Sequence, residues 1–267
     1  MYQKYCNLQI ENTPRITILL TLYFMNYPME FLPIKTRTFM PPKDDLWKLI
    51  DDYVPALKEW DIFFITSKIV SVAEWRCVKV GTKNKKNLIL QEAEKCILAD
   101  SVPWKDIYIT IKNNTLIPSA GIDESNANGY YILWPENIQK TTKKIRQYLK
   151  KKYKIKKLWV VMTDSCSAPL RRWIMGKAIW FCWFEPLRSY VGTKDIFGRT
   201  LEISRTNIPD SLSAMALFLM GEGKEKTPIC ILRGVPWIEF TDKDTYKKFI
   251  IPYKQDLYYP LLRAFDK

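Results

Sequence analysis

At 267 residues, with 47% hydrophobic and 26% charged residues, the chain is long enough to bury a core and too apolar to be disordered. It contains no histidine, which excludes imidazole-activated serine or cysteine nucleophiles and histidine-held zinc or iron. Its six cysteines form no CxxC pair and read as reduced thiols of a cytoplasmic protein, and its formal charge of +14 favours anionic partners.

Residues 1–28 read as an extension before an orderly body that begins at Met29. Their apolar run, residues 16–25, is too short to span a bilayer, and no small-residue cleavage site follows it. Next, Pro41-Pro42 and Asp44-Asp45 precede a helix with Leu46, Leu49 and Ile50 on one face. Ile62–Ile65 reads as a buried strand, followed by a polar turn at Thr66-Ser67-Lys68 and a second β-branched strand. "IYITI" and "TLIPS" form a hairpin that turns at Asn113-Asn114. Pro135 opens a helix running to about residue 150, with Ile138, Ile145 and Leu149 at helical spacing.

The strand "KLWVVMTDS" follows and delivers Asp164 and Ser165 at its end. Trp173, Trp180, Phe181, Trp183 and Phe184 read mainly as core, with Trp173 close enough to an arginine pair to stack on a flat ring. "DSLSAMALFLMGEG" is an apolar helix capped by Asp210 and closed by Gly221 and Gly223, and "TPICILRG" is a last core strand. The tail, residues 236–267, is amphipathic and packs on the body or on a partner subunit. Strands and helices do not alternate regularly and hairpins are present, so the fold class is α+β.

Two carboxylate-bearing turns carry candidate chemistry: Asp123-Glu124-Ser125-Asn126, flanked by glycines, and Asp164-Ser165. Oxygen ligands at strand ends suit Mg²⁺ or Mn²⁺ bridging nucleotide phosphates, while Asx-turn and capping chemistry explains the same strings without a ligand. Arg171-Arg172 offers two-point anion clamps or two surface arginines. Ser67-Lys68 offers backbone amides and an ammonium to a phosphate. The nearest string to a Walker A loop, "GTKDIFGRT", has the wrong spacing. Of the eighteen residues 140–157, ten are Lys or Arg. They read as the solvated face of an amphipathic helix rather than a nucleic-acid footprint, since no nucleic-acid-binding motif accompanies them.

The ordered strings "DIFFITSKIVSVAEWR", "LIPSAGIDESNANGYYILWP", "VVMTDS" and "DIFGRTLEISRTNIPDSLSAMALFLMGEG" resemble the coenzyme F420-0:γ-glutamyl ligase family over most of residues 29–235. "NGYY.LWP", "PLRR" and "MGEG..TP" look more like its folate-metabolism branch than its deazaflavin branch. The resemblance implies two intertwined lobes of mixed, largely antiparallel sheet with packed helices, and a homodimer with the active site near its interface. It also implies a GTP- and metal-dependent ligase that joins L-glutamate to an acidic acceptor through an acyl phosphate. By position, Asp123, Asp164 and Ser165 hold metal, and Asn126 contacts the nucleotide. Leu32, Pro33, Ile34 and Lys35, with Ser67 and Lys68, fall where the family contacts GTP. Arg171 takes an anion-clamping role beside Asp164, by inference from its place in the chain.

The chain departs from the deazaflavin enzymes at Val72 and at Ser165-Cys166-Ser167-Ala168. It also has Trp75, Trp173 and Trp180 where relatives tend to have glycine. Tryptophans filling the acceptor cleft would instead give a nucleotide- or pterin-binding homologue with reduced catalysis. Neither nucleic acid nor membrane is expected as a partner.

Overall fold

Residues 61–66, "DIFFIT", are apolar on both alternating faces, the pattern of a strand buried on two sides. The structure, a computed structural model describing residues 29–97, 104, 106–235 and 238–266, places them in the middle strand of a five-stranded sheet. The extension at 1–28 lies outside the described residues.

In chain order the body runs β1 (Glu30–Ile34), α1 (Leu46–Tyr53), β2 (Asp61–Thr66), α2 (Ser67–Ala73), β3 (Cys77–Lys79), α3 (Lys85–Glu92), β4 (Lys95–Ile97), β5 (Ile109–Lys112), β6 (Thr115–Pro118) and β7 (Tyr130–Ile132). It continues through α4 (Ile138–Tyr153), β8 (Leu158–Ser167), β9 (Ile174–Cys182), β10 (Leu187–Ser189), β11 (Arg205–Asn207), α5 (Ile208–Met220), β12 (Ile229–Arg233), α6 (Tyr246–Phe249) and α7 (Tyr259–Leu262). The central sheet has the order β1-β12-β2-β8-β9, with β2 and β8 parallel and every other pair antiparallel.

Alternation along the strands divides the core in two. Phe63, Ile65, Val160, Met162 and Ile231 face α1, α2 and α4, where Leu49, Ile50, Val70, Ile145 and Leu149 meet them. Ile62, Phe64, Val161, Cys230 and Leu232 face Ala216 and Met220 of α5 and Tyr246 of α6. Each fully buried Ile or Phe contributes about 1.5–3 kcal/mol, so these two layers dominate the stability of the body. Gly176 of β9 permits the close approach of α5: a Cβ there would lie 2.3 Å from the Ser213 carbonyl oxygen. In the tail, Tyr246 is buried and stacks on Trp180 with ring centroids 3.7 Å apart.

Between α2 and α4 the chain builds a smaller unit. It consists of the antiparallel sheet β4-β5-β6 and the pair β3-β7, around Leu88, Ile89, Tyr108, Ile122, Tyr131 and Leu133. The hairpin turns at Asn113 and Asn114, both at positive φ, which asparagine tolerates. The fold is thus α+β with mixed, largely antiparallel sheets. No helix among the described residues is long and apolar enough to cross a membrane.

Three local expectations are corrected. The "SKIVSVA" stretch is the helix α2, beginning at Ser67, rather than a polar turn and a second strand. Its β-branched residues prefer extended backbone, but helical spacing buries Ile69, Val70 and Val72 together, and packing overrides propensity. α5 is capped by Asn207, whose side chain accepts from the Asp210 N–H. Asp210 sits inside the first turn and accepts from the Ala178 N–H at 2.9 Å, tying the helix to β9. α4 begins at Ile138 after an Asn137 cap, not at Pro135.

Candidate active site

Parallel pairing of β2 with β8 ends at Thr66↔Thr163, beside a register irregularity between Met162 and Thr163. Immediately beyond that point β2 turns into α2, which carries Lys68 on its first turn, and β8 continues with Asp164 and Ser165. The carboxyl ends of adjacent parallel strands are a common place for a ligand crevice. Two further segments reach the same edge: residues 36–41 after β1, and Gly221–Pro228 between α5 and β12. The Thr36 N–H donates to the Lys226 carbonyl at 2.8 Å and the Thr66 N–H to that of Pro228 at 3.0 Å, so both segments are tied to the sheet.

Together these elements enclose a cleft of about 530 Å³. Asp123 enters it from the smaller unit. Ser119, Ala120 and Gly121 are all left-handed, as are Asn126, Asn128 and Gly129 beyond the carboxylate. The Asp123-Glu124-Ser125-Asn126 string is therefore a tight loop, closed where the Asp123 N–H donates to the Ile132 carbonyl at 3.0 Å. Consecutive left-handed residues other than glycine are costly and are retained where the surroundings over-determine them.

The Lys68 ammonium lies 2.5 Å from Asp123 Oδ2 and donates to the Ser125 carbonyl at 3.1 Å. Ser125 N–H donates to Asp123 Oδ1 at 2.8 Å. Burial opposes ionisation of Asp123, but Lys68 and the Ser125 donors outweigh it and hold the carboxyl below its ordinary range. Asp164 is the opposite case. Burial, the largest effect, pushes it up to about 7, and the nearby charge of Asp123 adds to that, against donors from Trp134 and Ser165. Asn126 lines the cleft and donates to the Gly223 carbonyl at 3.0 Å, joining the acidic loop to the glycine-flanked loop.

The structure thus brings Asp123, Asp164, Ser165, Lys68 and Asn126 to one cleft. Ser67 is buried beside it and does not line it. Leu32, Pro33 and Ile34 belong to β1, where they pair with β12, and Lys35 follows exposed; the cleft is lined instead by the next residues, from Thr36 to Pro41. Arg171 lies on the exposed turn between β8 and β9, donating to the Leu170 carbonyl, and is not among the lining residues. Trp75, Trp173 and Trp180 also stay out of the lining: the first two are 62% and 71% exposed, and Trp180 packs on Tyr246.

Several residues of the site escaped the sequence reading. Arg37 lines the cleft and grips Asp44 with two bonds of 2.5 and 2.7 Å. That guanidinium holds the Asp44 carboxyl down at about 2. Glu222, from the "GEG" string, lines the cleft with its pKa raised by burial. Trp134, which donates its indole N–H to Asp164 Oδ2, stands in the "LWP" of a family-like string, yet nothing local marks it as a partner of that aspartate.

The donor set suits a hard divalent cation: two carboxylates, a serine hydroxyl and an asparagine amide, with the Lys68 ammonium already seated where positive charge is favoured. Among the described residues no three acidic or cysteine side chains gather as a ready metal cage. Mg²⁺ characteristically takes one or two protein carboxylates and completes its shell with water and substrate phosphate.

With this geometry in view, the family model for F420-0:gamma-glutamyl ligase matches residues 34–234. The chain belongs to that family. It is 28% identical over 254 residues to the coenzyme F420:L-glutamate ligase of Methanosarcina barkeri, covering 89% of this chain and 98% of the relative. It is 31% identical to the enzyme of that name from Methanosarcina mazei over 73% of this chain and 81% of the relative. The Methanopyrus kandleri ligase is 29% identical over 76% of this chain and 86% of its own length. Asp123, Asp164 and the Gly221–Pro228 loop all fall inside the matched span.

Proposed function

We propose that this family member is a GTP- and divalent-metal-dependent γ-glutamyl ligase that joins L-glutamate to an acidic acceptor of folate or coenzyme F420-0 type. The observation that carries this reading is the meeting of Asp123 and Asp164, forty-one positions apart, with Lys68 at the carboxyl ends of β2 and β8. Two carboxylates facing an anionic nucleotide are repulsive without a cation, so their pairing makes sense as a seat for Mg²⁺ or Mn²⁺. Bound there by Asp123, Asp164 and Ser165, the cation would neutralise phosphate charge.

The reaction has two displacements. An acceptor carboxylate oxygen attacks the γ-phosphorus of GTP, forming an acyl phosphate and releasing GDP. The glutamate amine then attacks the acyl carbon, the C–O bond to phosphate breaks, inorganic phosphate leaves, and the amine gives up a proton as the amide forms. Such transfers depend on positioning and charge neutralisation, which this chain supplies without histidine. Lys68 and the Gly221–Pro228 loop, with Lys224 and Lys226, bring cationic and amide donors to the cleft wall for phosphate oxygens. The three tryptophans lie outside the lining of this cleft, which supports a catalytic reading over a non-catalytic binding protein. As a member of this family the protein would act as a homodimer.

The test is direct. Purified protein with GTP, Mg²⁺ or Mn²⁺, L-glutamate and each candidate acceptor should release GDP and yield a product heavier by one glutamyl residue. If no acceptor in a broad panel drives glutamate-dependent GTP turnover, the ligase reading fails.

A further inference from the structure

Trp134 is buried beside the site, 1% exposed and outside the cleft lining, with its indole N–H on Asp164 Oδ2 while the Ser165 N–H holds Oδ1 at 3.0 Å. Each oxygen of Asp164 therefore has one fixed donor, and only the remaining lone pairs face the cleft. The place for the indole is made by Gly121: a Cβ there would lie 2.3 Å from Nε1, and its φ of +71° is one that side-chain-bearing residues rarely adopt.

Behind the ring lies an ion triad. Glu92 Oε2 accepts from Arg76 at 2.6 Å and from Lys112 at 2.5 Å. Arg76 Nε also donates to the Trp134 carbonyl at 2.9 Å, fixing its backbone, and the Lys112 ammonium lies 5.8 Å from the centroid of the Trp134 ring. A cation against the π face draws electron density from the indole and strengthens its N–H as a donor.

We infer that Trp134 is a positioning residue for Asp164: locked by Gly121, Arg76 and the Lys112–Glu92 pair, it aims the carboxylate at the cation seat. The inference rests on the metal role proposed above for Asp164. Partners that orient a metal-bound carboxylate carry part of the affinity, and removing one weakens binding by about 10- to 100-fold.

The measurement is Mn²⁺ uptake by the purified protein with GTP, followed by the loss of the free-ion electron paramagnetic resonance signal, for the wild type and Trp134→Phe. With an unchanged melting temperature, Trp134→Phe should bind Mn²⁺ at least about tenfold more weakly. Binding within threefold of wild type overturns the inference while leaving the metal site standing. Wild-type protein that takes up no Mn²⁺ overturns the metal assignment itself, and this inference with it. If Trp134→Phe does not fold, wild-type protein labelled with ¹⁵N-tryptophan decides the matter. The Trp134 indole resonance should move on saturation with Mg²⁺ and GTP relative to GTP alone, and a stationary resonance overturns the inference.

Discussion

The two carboxylates of the site are held by opposite means. Asp123 stands on a loop of left-handed residues, partly exposed, its charge compensated by Lys68. Asp164 stands on the longest strand, largely desolvated at the cleft wall, with neutral N–H donors and with a second carboxylate nearby. The first is stabilised as an anion by that ion pair. The second is a desolvated acid whose ionisation is deferred to about pH 7, and the proposed cation would favour its anionic form. The difference teaches what pairing and burial each do to a carboxylate: Lys68 offsets the desolvation of Asp123, and no such ion pair offsets that of Asp164.

The contrast can be broken in order of expected effect. Asp123→Asn and Asp164→Asn should each lower glutamate-dependent GTP turnover by about a thousandfold or more while the far-ultraviolet circular dichroism stays unchanged. An active Asp123→Asn variant would remove it from the metal site. Stability should then separate the two. Below about pH 4, Asp164 is protonated in both the folded and unfolded chain and carries no penalty. Between about pH 4 and 7 the unfolded chain ionises it while the fold keeps it protonated, so stability falls as pH rises through that window. Asp164→Asn should therefore gain about 2–4 kcal/mol at pH 7.5, and progressively less toward pH 4, in urea denaturation with chelator present. A variant less stable than wild type at pH 7.5 would contradict the desolvated-acid account.

A smaller effect is expected at Lys68. Lys68→Met removes the ammonium paired with Asp123 and should raise KM for GTP by about tenfold, measured in the same turnover assay. The smallest is the stability change of Asp123→Asn. Its depressed pKa means that the ion pair stabilises the fold above about pH 4 and stops doing so as pH falls through the folded value. Because both side chains are partly exposed, the loss should stay under about 1 kcal/mol, opposite in sign to the change at Asp164.

Much of this was legible in the chain. The apolar face Leu46-Leu49-Ile50, the doubly apolar β2, the Asn113-Asn114 hairpin and both acidic strings stand in local patterns that burial and turn chemistry impose directly. Other features were not. "SKIVSVA" satisfies a strand by propensity and a helix by spacing, and only the layer packed above β2 selects the helix that puts Lys68 in the cleft. Arg171 is close to Asp164 in sequence, yet the β8–β9 hairpin continues past Asp164 and carries the arginine to an exposed turn. Adjacency along a strand does not mean convergence on a site.

What the sequence by itself determined was chemical: no imidazole, no metal-binding thiol spacing, two oxygen-bearing strings at strand ends, and the ordered motifs of one family. Residue types and short spacings are local properties, so they survive without a structure. Only the tertiary structure decided which of those groups share a cleft, which aspartate is paired and which is desolvated, and that Trp134 reaches Asp164 through the gap left by Gly121. Those outcomes depend on distances between residues well separated along the chain and on the exclusion of water around them, and neither is encoded in any single stretch of it.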